Sequence, residues 1–269
     1  MTEFASVEGR SIIVTGASRG LGRAMALGLL KAGARVALVS TGPGGPLDKT
    51  VALAEKAAPR GNWTCLSGDL RDPEACARVA AAARDAFGPI AMLVNNAAVP
   101  MSGDGPSFWD IDAGYWDRMV RTNCDSVFYM ARAVAPAMRT EGFGKIVNIS
   151  SSDRSMVRPR FTPYGPSKAF VEACSRAWAE ELRGSGVTMN VLCPGGVVDT
   201  AADVSGQPAT GKKFLPAGVM VPPLLWLAAD ESNSVTGERF LANLWDEKLP
   251  LEARIEAARQ SGAELPRIM

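Results

Sequence analysis

The chain has 269 residues, 47% of them hydrophobic, and its 29 Lys plus Arg offset 28 Asp plus Glu to leave a net charge of +1. That size suits one large α/β domain, and the near-neutral balance gives no electrostatic footing on nucleic acid or an anionic membrane surface. With 0 histidines, a Ser-His-Asp triad and every His-ligated metal site are excluded, so proton transfer falls to Tyr, Lys, Cys or carboxylates.

The 5 cysteines form no C-x-x-C pair, which suits a reduced, cytoplasmic protein in which most thiols are small buried residues, with no metal site. Met1–Arg10 lacks the apolar core of a signal peptide. No stretch approaches the roughly 18 apolar residues of a membrane span. Arg267-Ile268-Met269 matches no lipidation or peroxisomal signal.

Along the chain, short apolar runs alternate with helical patterns. Ser11–Thr15, Arg35–Ser40, Trp63–Ser67, Ala91–Val94, Lys145–Ser150 and Thr188–Leu192 each read as a buried strand. Helical periodicity covers Leu21–Ala32, Leu47–Ala58, Pro73–Phe87, Tyr115–Arg139 and Ser167–Arg183. Asp72-Pro73 is a helix start and Gly88-Pro89 a stop. Gly42–Pro46 is a loop after the second strand. Val197–Ala217, rich in Gly, Ala and Thr, reads as a mobile substrate loop with a short helix, and Leu251–Gln260 as a helix within a polar tail, 245–269. Strand–helix alternation without repeat or linker predicts a single α/β domain over residues 1–269. Its core is a doubly wound parallel sheet of about seven strands, a Rossmann fold with helices on both faces.

Thr15-Gly16-Ala17-Ser18-Arg19-Gly20-Leu21-Gly22 links the first strand to the first helix. Glycine there lets the backbone turn tightly and approach a pyrophosphate, and the helix N-terminus offers unpaired N–H groups. Such glycines also occur in purely structural turns, but the strand–turn–helix setting favours a dinucleotide. Gly16, Ser18, Arg19, Gly20, Leu21 and Gly22 are therefore candidate cofactor contacts.

Tyr164 and Lys168 are four residues apart, which places both on one face of a helix. An unperturbed phenol is a poor base at neutral pH. An ammonium about 4 Å away, at an effective dielectric near 20, is worth roughly 4 kcal/mol, enough to bring the phenol near the operating pH. The bland reading is a helix start with an exposed lysine. The preceding strand, ending in Ser150-Ser151-Ser152, favours the chemical one.

These residues together resemble the short-chain dehydrogenases/reductases, most nearly the single-domain branch that is like 3-oxoacyl-carrier-protein reductase. T-G-x-x-x-G-x-G is that family's glycine pattern, and its other motifs follow in order over most of the chain. The resemblance implies that Ser151, Tyr164 and Lys168 are catalytic. Ser151 steadies the substrate oxygen, and Asn123 holds a water beside Lys168. Asn123 has the alternative reading of a helix-kink hydrogen bond. The resemblance also implies cofactor contacts from Asp69 and Leu70, from Asn96 and Ala97 within Asn95-Asn96-Ala97-Ala98, and from Pro194, Gly195, Val197 and Thr200. Tyr164 and Lys168 add to these. Val235-Thr236-Gly237 resembles the motif before a last strand. Two departures stand out: Ala98 replaces a glycine, and Arg239–Trp245 replaces a D-G-G-like ending and runs on into the tail.

The implied reaction is hydride transfer between a nicotinamide and a carbonyl or secondary alcohol. Tyr164 passes the proton. The second strand ends in Ser40-Thr41, without the carboxylate that accepts from an NAD ribose. Arg19 can pair with a 2′-phosphate, so NADP(H) is expected over NAD, with Ser40 and Thr41 among the contacts. The expected partners are a small carbonyl or alcohol substrate and further copies of the chain in a homodimer or homotetramer. Arg154, Arg158 and Arg160 read as a solvated loop or as a dock for an anionic substrate. Met101, Phe108, Trp109, Phe161 and Phe214 are available as apolar walls. The tail covers the pocket or reaches a neighbouring subunit. A non-catalytic NADP-binding regulator of the same fold is the alternative. An epimerase or dehydratase of the related larger enzymes lacks here its usual C-terminal substrate domain.

Overall fold

A computed structural model describes residues 3–42, 44–101, 105–198 and 214–260. Seven strands form one sheet in the order β3-β2-β1-β4-β5-β6-β7. They are β1 (Ser11–Thr15), β2 (Arg35–Ser40), β3 (Trp63–Ser67), β4 (Met92–Asn95), β5 (Gly144–Ile149), β6 (Val187–Cys193) and β7 (Arg239–Leu241). All neighbours run parallel. The order reverses between β1 and β4, which opens a crevice at their carboxyl ends, the place where open α/β sheets bind ligands.

β1 shows why the two faces are dry. Ile12 and Val14 turn into one apolar cluster and Ile13 into the other, and all three are fully buried. On the first face lie α1 (Gly20–Lys31), α8 (Val221–Ala228) and α9 (Leu251–Ala258), through Met25, Leu29, Leu224, Leu227 and Ala258. On the second lie α3 (Pro73–Phe87), α5 (Ser126–Glu141) and α7 (Tyr164–Glu181), through Val79, Met130, Val134 and Ala179. α2 (Pro46–Ala57) packs on α1. The Asp72 carboxylate caps α3, accepting from the Glu74 and Ala75 amides at 3.0 and 3.2 Å.

Three differences from the sequence reading bear on the site. The long central helix is α4 (Ala113–Val120) and α5 joined by a π-helical turn, Arg121–Asp125, that carries Asn123. α7 begins at Tyr164, three residues before the predicted start, so Tyr164 and Lys168 share a regular helix. α8 has no counterpart in the periodicity. Pro222 and Pro223 obscure it, although proline is compatible with a helix's first turn.

The tail is less polar in its packing than its composition suggests. Trp245 is buried against Trp226, their ring centres 5.6 Å apart. Beyond α9, Phe240 and Arg259 form an antiparallel bridge, which covers part of the free edge of β7. Val198 bridges Leu215, but most of the loop expected over Val197–Ala217, including Thr200, lies outside the described residues.

Candidate active site

The carboxyl ends of β1, β4, β5 and β6 carry most of the polar residues singled out above. At β1 the chain turns through Gly16, with φ at +66°, and Gly20, with φ at +54°, into α1. An added Cβ at Gly16 would stand 2.9 Å from the Cα of Ala97, and one at Gly22 would stand 2.2 Å from the Gly16 carbonyl oxygen. Glycine is thus required by sterics at both positions.

The β4 end supports this loop. Asn96 Nδ2 donates to the Thr15 carbonyl at 2.9 Å. Thr15 Oγ1 accepts from the Asn96 and Ala97 amides at 2.9 and 3.0 Å. Asn96 and Ala97 therefore brace the glycine turn. Thr15 was not singled out as a site residue, since its type at a strand end carries no distinct signal.

Does this cradle fit a pyrophosphate? α1 has no side-chain cap at Arg19, unlike the Asp72-capped α3. Its first-turn amides and positive dipole end suit an anion. Arg19 is exposed on the same loop, and Ser18, Gly20 and Leu21 are half-buried there. Buried Ser40 donates to the Gly42 carbonyl at 2.7 Å, and Thr41 is exposed beside it. Asp69 follows β3 with its carboxylate bound to the Arg71 guanidinium at 2.6–3.1 Å, which holds it below the usual carboxylate range. Leu70 is buried. Pro194 and Gly195 follow β6, with Gly195 at φ +82° against the side chain of Asn243. Val197 is exposed. The residues present fit a dinucleotide.

Past β5, Ser151 is half-buried, and its side chain lowers the Tyr164 phenol. Ser151 Oγ also donates to Ser155 Oγ at 3.1 Å. One turn along α7, Lys168 is buried, with Nζ 5.9 Å from the centre of the Tyr164 ring and donating to the Ile149 carbonyl at 2.9 Å.

Charge and burial work against the simple expectation of a phenol acidified by its lysine. Burial pushes the Tyr164 hydroxyl above its usual value, and the Ser151 bond opposes this. Burial also pushes Lys168 down to about 8. The ammonium lies over the ring and is stripped of water itself, and loss of water is the largest influence on both groups. At neutral pH the pair is a protonated phenol beside an ammonium.

Asn123 is fully buried. Its Oδ1 accepts from the Val99 amide at 2.8 Å, and its Nδ2 donates to the Val99 carbonyl at 3.3 Å and to Ser167 Oγ at 3.1 Å. The π-turn aims this amide at the β4 loop and at the turn of α7 that carries Lys168. π-Turns often mark functional sites. A second buried chain joins Asn95 Nδ2 to Asn148 Oδ1 at 2.9 Å and Asn148 Nδ2 to Ser175 Oγ at 2.8 Å. It ties β4, β5 and α7 together beneath the site. Asn148, polar between Val147 and Ile149, is the sequence signal of this chain.

Next to this lies a cavity of about 440 Å³ whose walls include Phe108, Trp109, Met156, Val157, Arg158 and Arg160. Phe108 and Trp109 are each 72% exposed and meet edge to face, ring centres 4.9 Å apart, so they form a surface rather than core. Phe161 is buried, and Met101 and Phe214 are half-buried. The Arg158 guanidinium stacks 5.0 Å from the Phe161 ring. Arg160, at φ +61°, accepts the Gly105 amide on its carbonyl at 3.0 Å. Arg154 is exposed. Among the described residues no cluster of metal-ligating side chains occurs, and no helix is long and apolar enough to cross a membrane.

Known proteins resemble this chain in sequence and fold. A family model described as short chain dehydrogenase matches residues 10–209. A short-chain type dehydrogenase/reductase of Picea abies is 33% identical over 86% of this chain and 89% of its own length. The 3-oxoacyl-[acyl-carrier-protein] reductase FabG of Salmonella typhimurium is 31% identical over 88% of this chain and 97% of its own. The crystal structure of a putative short-chain alcohol dehydrogenase from Sinorhizobium meliloti superposes with a TM-score of 0.77 at 31% identity, covering 89% of this chain and 96% of that one. The chain therefore belongs to the short-chain dehydrogenase family, oxidoreductases that bind a nicotinamide cofactor and act on small molecules.

Proposed function

We propose that this chain is an NADP(H)-dependent oxidoreductase that interconverts a carbonyl and a secondary alcohol, with Tyr164 as general acid and base. The observation that carries this reading is the joining of Tyr164, Ser151 and Lys168 within one buried polar group at the carboxyl end of β5. A bound nicotinamide supplies or accepts the hydride.

The chain's own residues handle the oxygen and its proton. Ser151 Oγ and Tyr164 Oη both hold the substrate oxygen, a preorganised pair of donors where negative charge develops. In reduction Tyr164 Oη gives its proton to that oxygen. The raised value of the phenol keeps this acid loaded at neutral pH. In oxidation the phenolate takes the proton back, so that direction gains from alkaline pH. Lys168 spends one N–H on Ile149 and keeps others for the cofactor and for steadying the phenolate. Asn123 fixes the turn of α7 through Ser167 and completes the proton relay.

The 2′-phosphate is recognised by Arg19 with Ser18, Ser40 and Thr41, because no carboxylate stands at the end of β2 to repel it. Gly16, Gly20, Leu21 and Gly22 hold the pyrophosphate. Asp69 and Leu70 flank the adenine, and Asn96, Ala97, Pro194, Gly195 and Val197 frame the rest. Substrate enters past Phe108, Trp109 and the Arg158–Arg160 loop. The protein works as a homodimer or homotetramer in the cytoplasm. The non-catalytic alternative gives no reason for the Ser151–Tyr164 bond.

The test follows NADPH oxidation with ethyl acetoacetate, a diketone, a quinone and an acetoacetyl thioester. The panel is chosen because relatives are a 3-oxoacyl reductase and a D-beta-hydroxybutyrate dehydrogenase. Turnover by wild type and a loss of about 10²-fold or more in Tyr164→Phe is expected. Tight NADPH binding without turnover of any member refutes catalysis.

A further inference from the structure

One guanidinium ties the Ser151 turn to the far edge of the sheet. Arg239, the first residue of β7, has a side chain only 10% exposed, and that of Glu172 on α7 is 12% exposed. Arg239 Nε donates to Glu172 Oε1 and Oε2 at 3.0 and 3.1 Å. Its Nη2 donates to the Ser151 carbonyl at 2.9 Å and meets Asp153 Oδ1 at 2.6 Å. Its Nη1 donates to Gln260 Oε1. The backbone repeats the last link, with the Gln260 amide donating to the Arg239 carbonyl at 2.9 Å.

Ser151 needs such a hold. The final ladder bond of β5 is Ser150 N–H to the Leu192 carbonyl at 3.1 Å, and the α6 turn (Asp153–Met156) starts only at Asp153. Between them the backbone has no secondary structure to fix it. The Ser151 hydroxyl donates to Ser155 Oγ at 3.1 Å and also acts on Tyr164, so its aim has to be fixed. Arg239 grips the stretch at both ends, at the Ser151 carbonyl and the Asp153 carboxylate. Only a planar fork with several fixed donors reaches Ser151, Asp153, Glu172 and Gln260 at once.

We propose that Arg239 is a positioning residue that aims the Ser151 hydroxyl at Tyr164, and that Gln260 braces Arg239 so that the segment after α9 supports the site from outside it. This rests on the catalytic reading of Ser151 and Tyr164. The sequence departure at Arg239–Trp245 and the folded-back segment are then two parts of one device.

The test reads Tyr164 directly and needs no substrate. Protein labelled with 3-fluorotyrosine gives fluorine resonances for its 3 tyrosines, and Tyr164→Phe assigns the one that matters. Titration then gives the Tyr164 midpoint in wild type, Arg239→Met, Arg239→Lys and Gln260→Ala, each with Ser151 intact and in a Ser151→Ala background. The Ser151 bond lowers the phenol, so loosening Ser151 should raise the midpoint. The expected rise is about one pH unit in Ser151→Ala and in Arg239→Met, for one lost hydrogen bond. It should be smaller in Gln260→Ala. In the Ser151→Ala background none of the three should add to it. Arg239→Lys keeps a cation for Glu172 without the fork, which guards against failure of the Met variant to fold, and should still raise the midpoint.

Equal rises in both backgrounds would mean that Arg239 acts as a distant charge, and would overturn the proposal. So would an unmoved midpoint in the Arg239 variants, or in Ser151→Ala itself. A purely structural rivet would lower the melting temperature and leave the midpoint where it was. Failure of the catalytic reading would show elsewhere, as absence of NADPH oxidation with the carbonyl panel.

Discussion

Replacing Lys168 by Met should stabilise the protein and silence it. Burial lowers this ammonium from 10.5 to about 8. At about 1.4 kcal/mol per pH unit, keeping it charged at neutral pH costs the fold about 3 kcal/mol. Methionine keeps the apolar stem and loses the bond to Ile149, worth about 1 kcal/mol. The net expectation at pH 7 is a gain of about 2 kcal/mol, or about 4 °C in Tm for a chain of this size. The sign with pH follows from a folded-state value below the unfolded one. The wild-type penalty is fully present below about 8 and shrinks as pH rises toward 10.5, where both states lose the proton. Urea unfolding of both proteins without cofactor, at pH 7 and again near pH 10, measures the difference. NADPH oxidation should fall by at least about 10²-fold. A Met variant less stable than wild type at pH 7, or a gain that stays flat with pH, would refute the reasoning.

Other substitutions probe the remaining parts. Asn123→Ala strands the Val99 amide and frees Ser167, so stability should drop by about 1–3 kcal/mol with kcat reduced, as read by urea melts and steady-state rates. Gly16→Ala sets a Cβ 2.9 Å from the Ala97 Cα at a φ of +66°. NADPH titrations should show binding weakened by at least about tenfold, since strain of 1–3 kcal/mol falls on the turn itself. Arg19→Ala with Thr41→Asp should reverse the NADPH preference in kcat/KM by about 10- to 100-fold, the worth of one charge-assisted phosphate bond. An unchanged ratio removes Arg19 from the recognition. Arg158→Ala with Arg160→Ala should raise KM for carboxylate-bearing ketones and spare neutral ones. Equal effects on both would mean the loop is only a wall.

By itself the sequence determined the sheet, the glycine turn and the membership of the candidate site. Strands β1 and β2 and helix α3 fall on the residues their patterns predict, because strands buried on both faces must be continuously apolar and Asp72-Pro73 caps a helix unaided; β3 keeps its predicted bounds but, as the edge strand, is not the buried strand its apolar run suggested. Thr15–Gly22 and Tyr164–Lys168 were readable for a related reason. Each is a short segment whose spacing, on its own, fixes what its backbone and side chains can reach.

The tertiary structure decided everything that depends on partners distant in sequence. Asn123 is 44 residues from Ser167 and Arg239 is 88 from Ser151, and no periodicity records such pairs. The balance of charge at Tyr164 and Lys168 belongs here too. Spacing puts the two on one face of α7, but only packing around both supplies the loss of water that shifts them.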